Sequence, residues 1–220
     1  MDDTLACRFE HLKEEGTLRH DIVPGATFPD FELPDHLGKL RRLSELQREH
    51  PYLQSAMGNP MILILGRGNY CPKDQLQHRD LVAFYPKIVV GYTQIVTILP
   101  DQLGDVQDFR EGVGAQWTFL SDSSHLVPAD LDNWEYTTLP HQPTVPYTFV
   151  LEPGLKIYSI YNGYWFWGRP TSDELTRDLR AIGERIRPDW NLGDPGLREA
   201  WERGEKDRFY PYEGNKWWNP

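Results

Sequence analysis

Residues 62–72 read Ile-Leu-Ile-Leu-Gly-Arg-Gly-Asn-Tyr-Cys-Pro, an uncharged apolar run that ends in a glycine loop and passes at once into a helix. No other stretch restricts the fold so strongly. The segment Pro60 to Leu65 is short and free of charge, the pattern of a strand covered on both faces. Pro72 suits the first turn of a helix, where its missing N–H is not needed. Cys71 occupies the joint between strand and helix. Unpaired N–H groups and the positive end of the helix dipole gather there, and a thiol so placed ionises more readily.

The rest of the chain continues the alternation. After Pro72, the residues Leu76, Leu81, Val82, Phe84 and Tyr85 recur among polar ones, an amphipathic helix that Pro86 ends or bends. Gln94 to Leu99 is β-branched and apolar. Val106 to Gly112 predicts a helix with Phe109 inward, and Trp117 to Leu120 a segment that stops at the turn Ser121-Asp122. From Pro60 the order is therefore β, α, β, α, β, which is that of a layered α/β domain. Upstream, Phe31-Glu32-Leu33 and Leu40 to Leu43 flank the turn Asp35-His36-Leu37-Gly38 as a hairpin, and Ser44 is placed to cap a short helix. Residues 123–144, rich in Asp, Pro and His, make a surface excursion of a length that suggests a functional loop. Tyr147 to Leu151 and Leu155 to Tyr161 form a second hairpin about Glu152-Pro153-Gly154. Thr171 or Ser172 caps a last helix that turns Leu175, Leu179, Ile182 and Ile186 inward.

Three regions follow. Residues 1–21 are a helical leader with Leu5, Phe9 and Leu12 on one side, suited to packing or dimer contact, and residues 22–188 are the α/β domain. Residues 189–220 are an extension carrying Trp190, Trp201, Phe209, Tyr210, Tyr212, Trp217 and Trp218. So much aromatic surface is rarely left in water, so the extension is expected to wrap the domain or a second subunit, with a homodimer as the default.

Charge excludes two classes of partner. The 220 residues hold 23 Lys and Arg against 33 Asp and Glu, a formal charge of -10, which opposes binding to nucleic acid or to an anionic membrane. No stretch approaches the roughly 18 apolar residues of a membrane span, and the opening Met1-Asp2-Asp3-Thr4 lacks a secretory pattern, so a cytoplasmic location is expected. Two cysteines, Cys7 and Cys71, give no disulfide framework. The seven histidines are scattered without the spacing of a metal pair, so neither metal nor cofactor is expected, and His78 reads as facing solvent.

Six pieces in this order resemble a known family. They are Gly25-Ala26-Thr27-Phe28-Pro29-Asp30-Phe31-Glu32-Leu33, Leu43-Ser44-Glu45-Leu46, Arg67-Gly68-Asn69-Tyr70-Cys71-Pro72, Phe119-Leu120-Ser121-Asp122, Val145-Pro146-Tyr147-Thr148-Phe149-Val150 and Gly168-Arg169-Pro170-Thr171. Over about residues 22–187 the chain is similar to the thioredoxin-fold redoxins, most closely the peroxiredoxin-like branch of the alkyl hydroperoxide reductase and thiol-specific antioxidant superfamily. The resemblance implies a thioredoxin-like α/β fold, a central mixed sheet flanked by helices, in which Cys71 attacks an oxidised substrate. It also implies that Pro146, a candidate for a cis peptide bond, faces that cysteine. The chain departs from the typical motif at Ile64 and Gly68, where a proline and a threonine stand, and at Pro146, which aligns with an arginine. In the similar loops that read Arg-Gly-x-aromatic-Cys-Pro-x-Cys, the second cysteine is replaced here by Asp74.

A thiol peroxidase needs a thiolate, a cation or N–H donors to hold the peroxide oxygens, and a leaving group that takes up a proton; the cysteine becomes a sulfenic acid. Cys71 supplies the thiolate. Arg67 is the best cation local in sequence, and Arg169 is a second if its loop folds over the cleft. Tyr70, Pro72, Pro146, Trp165 and Trp167 are the expected substrate-binding residues, with the run Tyr164-Trp165-Phe166-Trp167 forming an apolar wall beside Tyr70 or an interface. An inward Asp74 opposes thiolate formation. Cys7 reads as a packing residue more than a resolving one, so turnover requires an external thiol, glutathione or a thioredoxin-like partner. The expected function is a one-cysteine, peroxiredoxin-like oxidoreductase acting on a small oxidised substrate. The alternatives are another thiol reaction on a bulky substrate, by disulfide exchange or reductive group removal, and a binding domain in which Cys71 is only a small buried hydrophobe.

Overall fold

Strand order follows from which apolar runs are covered on both faces. The computed structural model describes residues 18–50, 58–135, 144–187 and 193–205. The leader helix, Cys7 and the aromatic residues Trp190, Phe209, Tyr210, Tyr212, Trp217 and Trp218 lie outside them. Glu32–Pro34 (β1) and Leu40–Arg42 (β2) form the first hairpin, followed by the short helix Leu43–Leu46 (α1). Then come Met61–Leu65 (β3), Pro72–Val90 (α2), Gln94–Leu99 (β4), Leu103–Val113 (α3), Thr118–Ser121 (β5) and Leu126–Leu131 (α4). Tyr147–Glu152 (β6) and Lys156–Asn162 (β7) form the second hairpin, and Ser172–Ile186 (α5) and Pro195–Glu202 (α6) follow. The main sheet runs β5-β4-β3-β6-β7, with β3, β4 and β5 parallel and β6 and β7 antiparallel to their neighbours. β3 lies at the centre, and all five of its residues are buried. That position explains why its sequence shows no polar alternation.

Because successive side chains of a strand point to opposite faces, Met61, Leu63 and Leu65 enter one layer and Ile62 and Ile64 the other. The first layer is the main core, shared with Phe28, Leu33 and Phe149. Phe28 and Phe149 meet edge to face with centroids 4.8 Å apart. Burying side chains of this size stabilises by about 1.5–3 kcal/mol each, which fixes which face of β3 looks inward. The second layer lies under α2 and is unusually polar. There the register sets Thr97 of β4 and Thr148 of β6 on either side of Ile64.

Several local expectations are corrected. Ser44 does not cap α1; its N–H and hydroxyl both donate to Asp30, at 2.9 and 2.7 Å, so the acid of the preceding turn does that work. Pro86 does not end α2, which continues to Val90 with Phe84 and Ile88 buried on either side of the proline. Part of the 123–144 excursion is ordered into α4 and buries Val127 and Leu131 in the core; residues 136–143 lie outside the described set. Thr171 is the cap of α5: its hydroxyl accepts from Glu174 N–H at 3.2 Å and the Glu174 carboxylate accepts from Thr171 N–H at 2.8 Å, a reciprocal box. Those bonds also pull the Glu174 carboxyl below its ordinary range.

The chain divides into two compact units at Asp178 and Leu179, inside α5. The first contains both sheets. In it Asp178, buried, accepts hydroxyl bonds from Ser159 and Tyr161 of β7 at 2.6 and 2.7 Å. In the second, Asp194 caps α6 through the N–H groups of Gly196 and Leu197, and Ala200 is buried. Among the described residues no helix is long and apolar enough to cross a membrane.

Candidate active site

The loop between β3 and α2 is held almost entirely through its backbone. Gly66 N–H donates to Ile98 O, extending the parallel ladder one residue past β3. Gly68 then adopts φ +125°, a left-handed conformation that side chains disfavour, and this turns the chain toward the helix. Asn69 N–H donates to the Asp101 carboxylate at 2.8 Å, while the Asp74 carboxylate accepts from the N–H of Arg67 at 2.6 Å and of Gly68 at 3.3 Å. Cys71 is the N-cap residue of α2, with Pro72 in the first helical position, and its carbonyl accepts from the N–H groups of Asp74 and Gln75. Cys71 is 1% exposed. The side chain that the sequence places at the strand-to-helix joint is thus closed off from solvent.

The end of the 123–144 excursion is tied to this loop. Arg67 forms an ion pair with Glu135, whose side chain is buried, and the Thr144 hydroxyl donates to Gly66 O at 2.9 Å. The Arg67 guanidinium also lies 5.9 Å from the Tyr70 ring centroid. Burial works against its charge, but Tyr70, Glu135 and Cys71, each an anion when ionised, together push its pKa up. Burial likewise raises the Tyr70 phenol to about 12, against the attraction of Arg67. Arg67 is thus a permanent cation beside Cys71.

Beneath the thiol, α2 meets the sheet through polar side chains. Asp74, Gln77 and His78 are all buried on the inner face of the helix. The Asp74 carboxylate lies 2.5 Å from Arg169, and Arg169 donates to Gln77, whose amide donates to the Thr148 hydroxyl at 2.9 Å. His78 Nδ1 lies 2.7 Å from Asp74 O, an acceptor only, so Nδ1 carries the proton. Nε2 then accepts from the Thr97 hydroxyl at 3.1 Å, and that oxygen accepts the Trp117 indole N–H at 3.0 Å. Burial lowers the His78 pKa and keeps the ring neutral. The expectation that His78 faces solvent is therefore wrong: two successive residues of α2 reach the threonines on either side of Ile64.

The residues expected at the site are distributed as follows. Cys71, Arg67, Tyr70 and Pro72 lie together in the loop, Pro72 exposed at the helix start. Pro146 is buried, one residue before the Leu65–Tyr147 pair, so the register sets it beside Gly66. The peptide bond before it is trans, since no cis bond occurs among the described residues. Arg169 reaches the loop through Asp74. Trp165 is exposed with Lys73 of α2 positioned 5.7 Å from its ring centroid, which sets it near the thiol end of the helix. Trp167, 91% exposed, lies instead on the rim of a cleft of about 780 Å³ between α2 and the start of α5, which Gln77, Phe84 and Arg169 also line. Asp101, Glu135, Gln77 and Thr148 have no mark in the sequence that distinguishes them from other polar residues. Among the described residues no group of three or more His, Cys, Asp or Glu side chains is placed to hold a metal ion.

The aromatic segment depends on one close approach. A Cβ on Gly168 would overlap the backbone carbonyl oxygen of Asn162, which has no side-chain freedom to move aside. Gly168→Ala is expected to destabilise by about 1–3 kcal/mol, as overpacking does, and to displace the neighbouring tryptophans. A urea unfolding midpoint together with the tryptophan emission of the native state checks both; an unchanged midpoint would show that the turn yields freely.

A cysteine capping the helix after the central strand of a β5-β4-β3-β6-β7 sheet is the arrangement of a thioredoxin-fold redoxin. The chain matches the AhpC/TSA family over residues 24–160, more than half its length, and belongs to that family. Comparison with curated proteins finds no match. Among solved structures it is similar to the peroxidoxin BcpB of Mycobacterium tuberculosis, with 21% identity, 72% of this chain and 95% of that one covered, and a TM-score of 0.58. It is similar also to a cysteine-to-serine mutant of the peroxiredoxin 6 of Arenicola marina, with 15% identity, 77% and 76% covered, and a TM-score of 0.58. A Chlorobium tepidum chain described as a putative thiol:disulfide interchange protein, DsbE, aligns with 20% identity, 73% and 97% covered, and a TM-score of 0.53. At these identities the likeness is one of fold.

Proposed function

We propose that the chain is a thiol-dependent oxidoreductase that reduces hydroperoxides through Cys71. The observation that carries this reading is the placement of Cys71 at the N-cap of α2 beside the permanently charged Arg67, in a chain of the AhpC/TSA family. Thiolate sulfur attacks the nearer peroxide oxygen; an S–O bond forms, the O–O bond breaks, and the departing alkoxide takes up a proton to leave as an alcohol, or as water from hydrogen peroxide. Arg67 and the N–H groups of the first turn of α2 hold the oxygens while charge moves onto the leaving group. An external thiol then attacks the sulfenic acid, releasing water and forming a mixed disulfide, and a second thiol returns Cys71 to its reduced state. Tyr70 and Trp165 supply an apolar border. With Cys71 1% exposed, slender hydroperoxides react faster than bulky ones unless the loop opens.

A second reading is thiol exchange on a bulky disulfide. The exposed Trp165 and Trp167 and the cleft behind them favour it, as does the absence of the usual proline, threonine and arginine at Ile64, Gly68 and Pro146.

Exposure to hydrogen peroxide or an organic hydroperoxide in the presence of a dimedone-type probe separates the two, with mass read on the Cys71 peptide. Peroxidase chemistry gives a stoichiometric adduct that is missing in Cys71→Ser, and repeated turnover once a thiol is supplied. A thiol that reacts with disulfides but scarcely with peroxide supports the second reading; a Cys71 inert to every oxidant overturns both.

A further inference from the structure

Asp74 stands where the similar loops carry their second cysteine, and its side chain is wholly buried. A bare carboxylate in the first turn of the helix, three residues after the thiol, favours the protonated cysteine. The surroundings of Asp74 are built to remove that effect. One carboxylate oxygen is taken by the N–H groups of Arg67 and Gly68, and the other lies 2.5 Å from the Arg169 guanidinium, itself 4% exposed. Two glycines leave the room that the pair occupies. A Cβ on Gly66 would stand 2.5 Å from Leu99 Cδ2 and 3.2 Å from the Asp74 carboxylate, and one on Gly163 would stand 3.0 Å from Arg169 Cγ and 3.2 Å from Pro146 O. Through Gln77 and Thr148 the same row is tied to β6.

We propose that Asp74 and Arg169 act together as a positioning pair for Cys71: the carboxylate orients the redox loop through two backbone N–H groups, and the guanidinium cancels the negative charge that would oppose the thiolate. This rests on a thiolate role for Cys71 but not on peroxide as the oxidant. Among the described residues, the charged and titratable groups of the segments that meet at this loop are Arg67, Tyr70, Lys73, Asp74 and His78 of the loop and helix, Asp101 after β4, Glu135 after α4 and Arg169 after β7. Arg67 and Glu135 balance one another, and burial keeps His78 neutral. A single substitution tips the balance between Asp74 and Arg169 in either direction.

The test is the ultraviolet thiolate absorbance of the full-length chain, followed from about pH 4 to about pH 9 and read as the difference from the same variant carrying Cys71→Ser. Arg169→Gln leaves the carboxylate uncancelled and is expected to move the thiolate midpoint upward by about one pH unit, a tenfold loss of thiolate below the midpoint. Asp74→Asn leaves the guanidinium uncancelled and is expected to move it downward by a similar amount. The double variant is expected to return to within about threefold of the native thiolate fraction. A merely structural pair would not shift the midpoint in opposite directions. Two shifts of the same sign, or no recovery in the double variant, overturn the proposal. Should Arg169→Gln fail to fold, Asp74→Asn and Arg169→Lys decide together: a lowered thiolate midpoint in Asp74→Asn with an unmoved one in Arg169→Lys, which keeps the charge, supports the pair, and an unmoved or raised midpoint in Asp74→Asn overturns it. If hydroperoxides leave Cys71 unoxidised while the opposite shifts are seen, the proposed reaction fails and the pair stands; if oxidation is intact and the shifts do not occur, the pair fails and the reaction stands.

Discussion

Replacing Asp74 by cysteine is expected to destabilise the chain by about 3–5 kcal/mol, although cysteine is the residue that the similar Cys-Pro-x-Cys loops carry at this place. The substitution removes one partner of a buried ion pair. Arg169 is left charged, 4% exposed and without its carboxylate, too deep for bulk water to compensate. The N–H groups of Arg67 and Gly68 lose their shared acceptor at the same time, so the loop that presents Cys71 is loosened as well. For a chain of this length a loss of that size lowers the thermal midpoint by roughly 10 °C. Following with Arg169→Met, which removes the stranded charge, is expected to recover at least about half of the loss, because an apolar replacement of both partners is often nearly neutral. Thermal unfolding followed by circular dichroism under reducing conditions measures both changes. A stability of Asp74→Cys within about 1 kcal/mol of the native chain would mean that the pair contributes nothing net.

Acidification from about pH 7 to about pH 5 is expected to lower stability through His78 alone, by at most roughly 2 kcal/mol. The sign follows from where the proton binds. Burial holds the folded His78 pKa below its ordinary value, while in the unfolded chain the ring titrates near 6.5. Above that pH both states are neutral and stability is level. Below it the unfolded chain binds a proton that the folded chain refuses, so stability falls by about 1.4 kcal/mol per pH unit until the folded ring also protonates. Burial lowers His36 and His50 too, which adds in the same direction. Asp122, raised by burial, takes up its proton earlier in the folded state and opposes the loss at the acid end of the range. His78→Gln keeps a polar side chain beside Thr97 without the titration. Its urea midpoints are expected to fall less than the native ones between the two pH values, and an equal fall would place the titration elsewhere.

The two effects differ in how far they were legible in the chain. The central strand, the glycine turn and the cysteine at the helix start are local, and each is written in neighbouring residues: no charge from Pro60 to Leu65, a glycine where φ is positive, a proline in the first helical position. The two hairpins and the alternation of strands and helices were legible for the same reason. Of the two outcomes open at Pro86, an end does not occur, because tertiary burial of Phe84 and Ile88 carries the helix through a residue that ends isolated helices. His78 misled because the inner face of α2 is polar, so periodicity of apolar residues pointed away from it.

By itself, then, the amino-acid order determined a layered α/β scaffold with one thiol at a strand-to-helix joint. Folding decided what that thiol is surrounded by. The pairs Asp74–Arg169, Arg67–Glu135, Gln77–Thr148 and His78–Thr97 each join residues far apart along the chain. Local patterns report which residues can share a face, but a buried charge or imidazole is tolerated only where a distant segment supplies its partner, and that partner is chosen when the layers close.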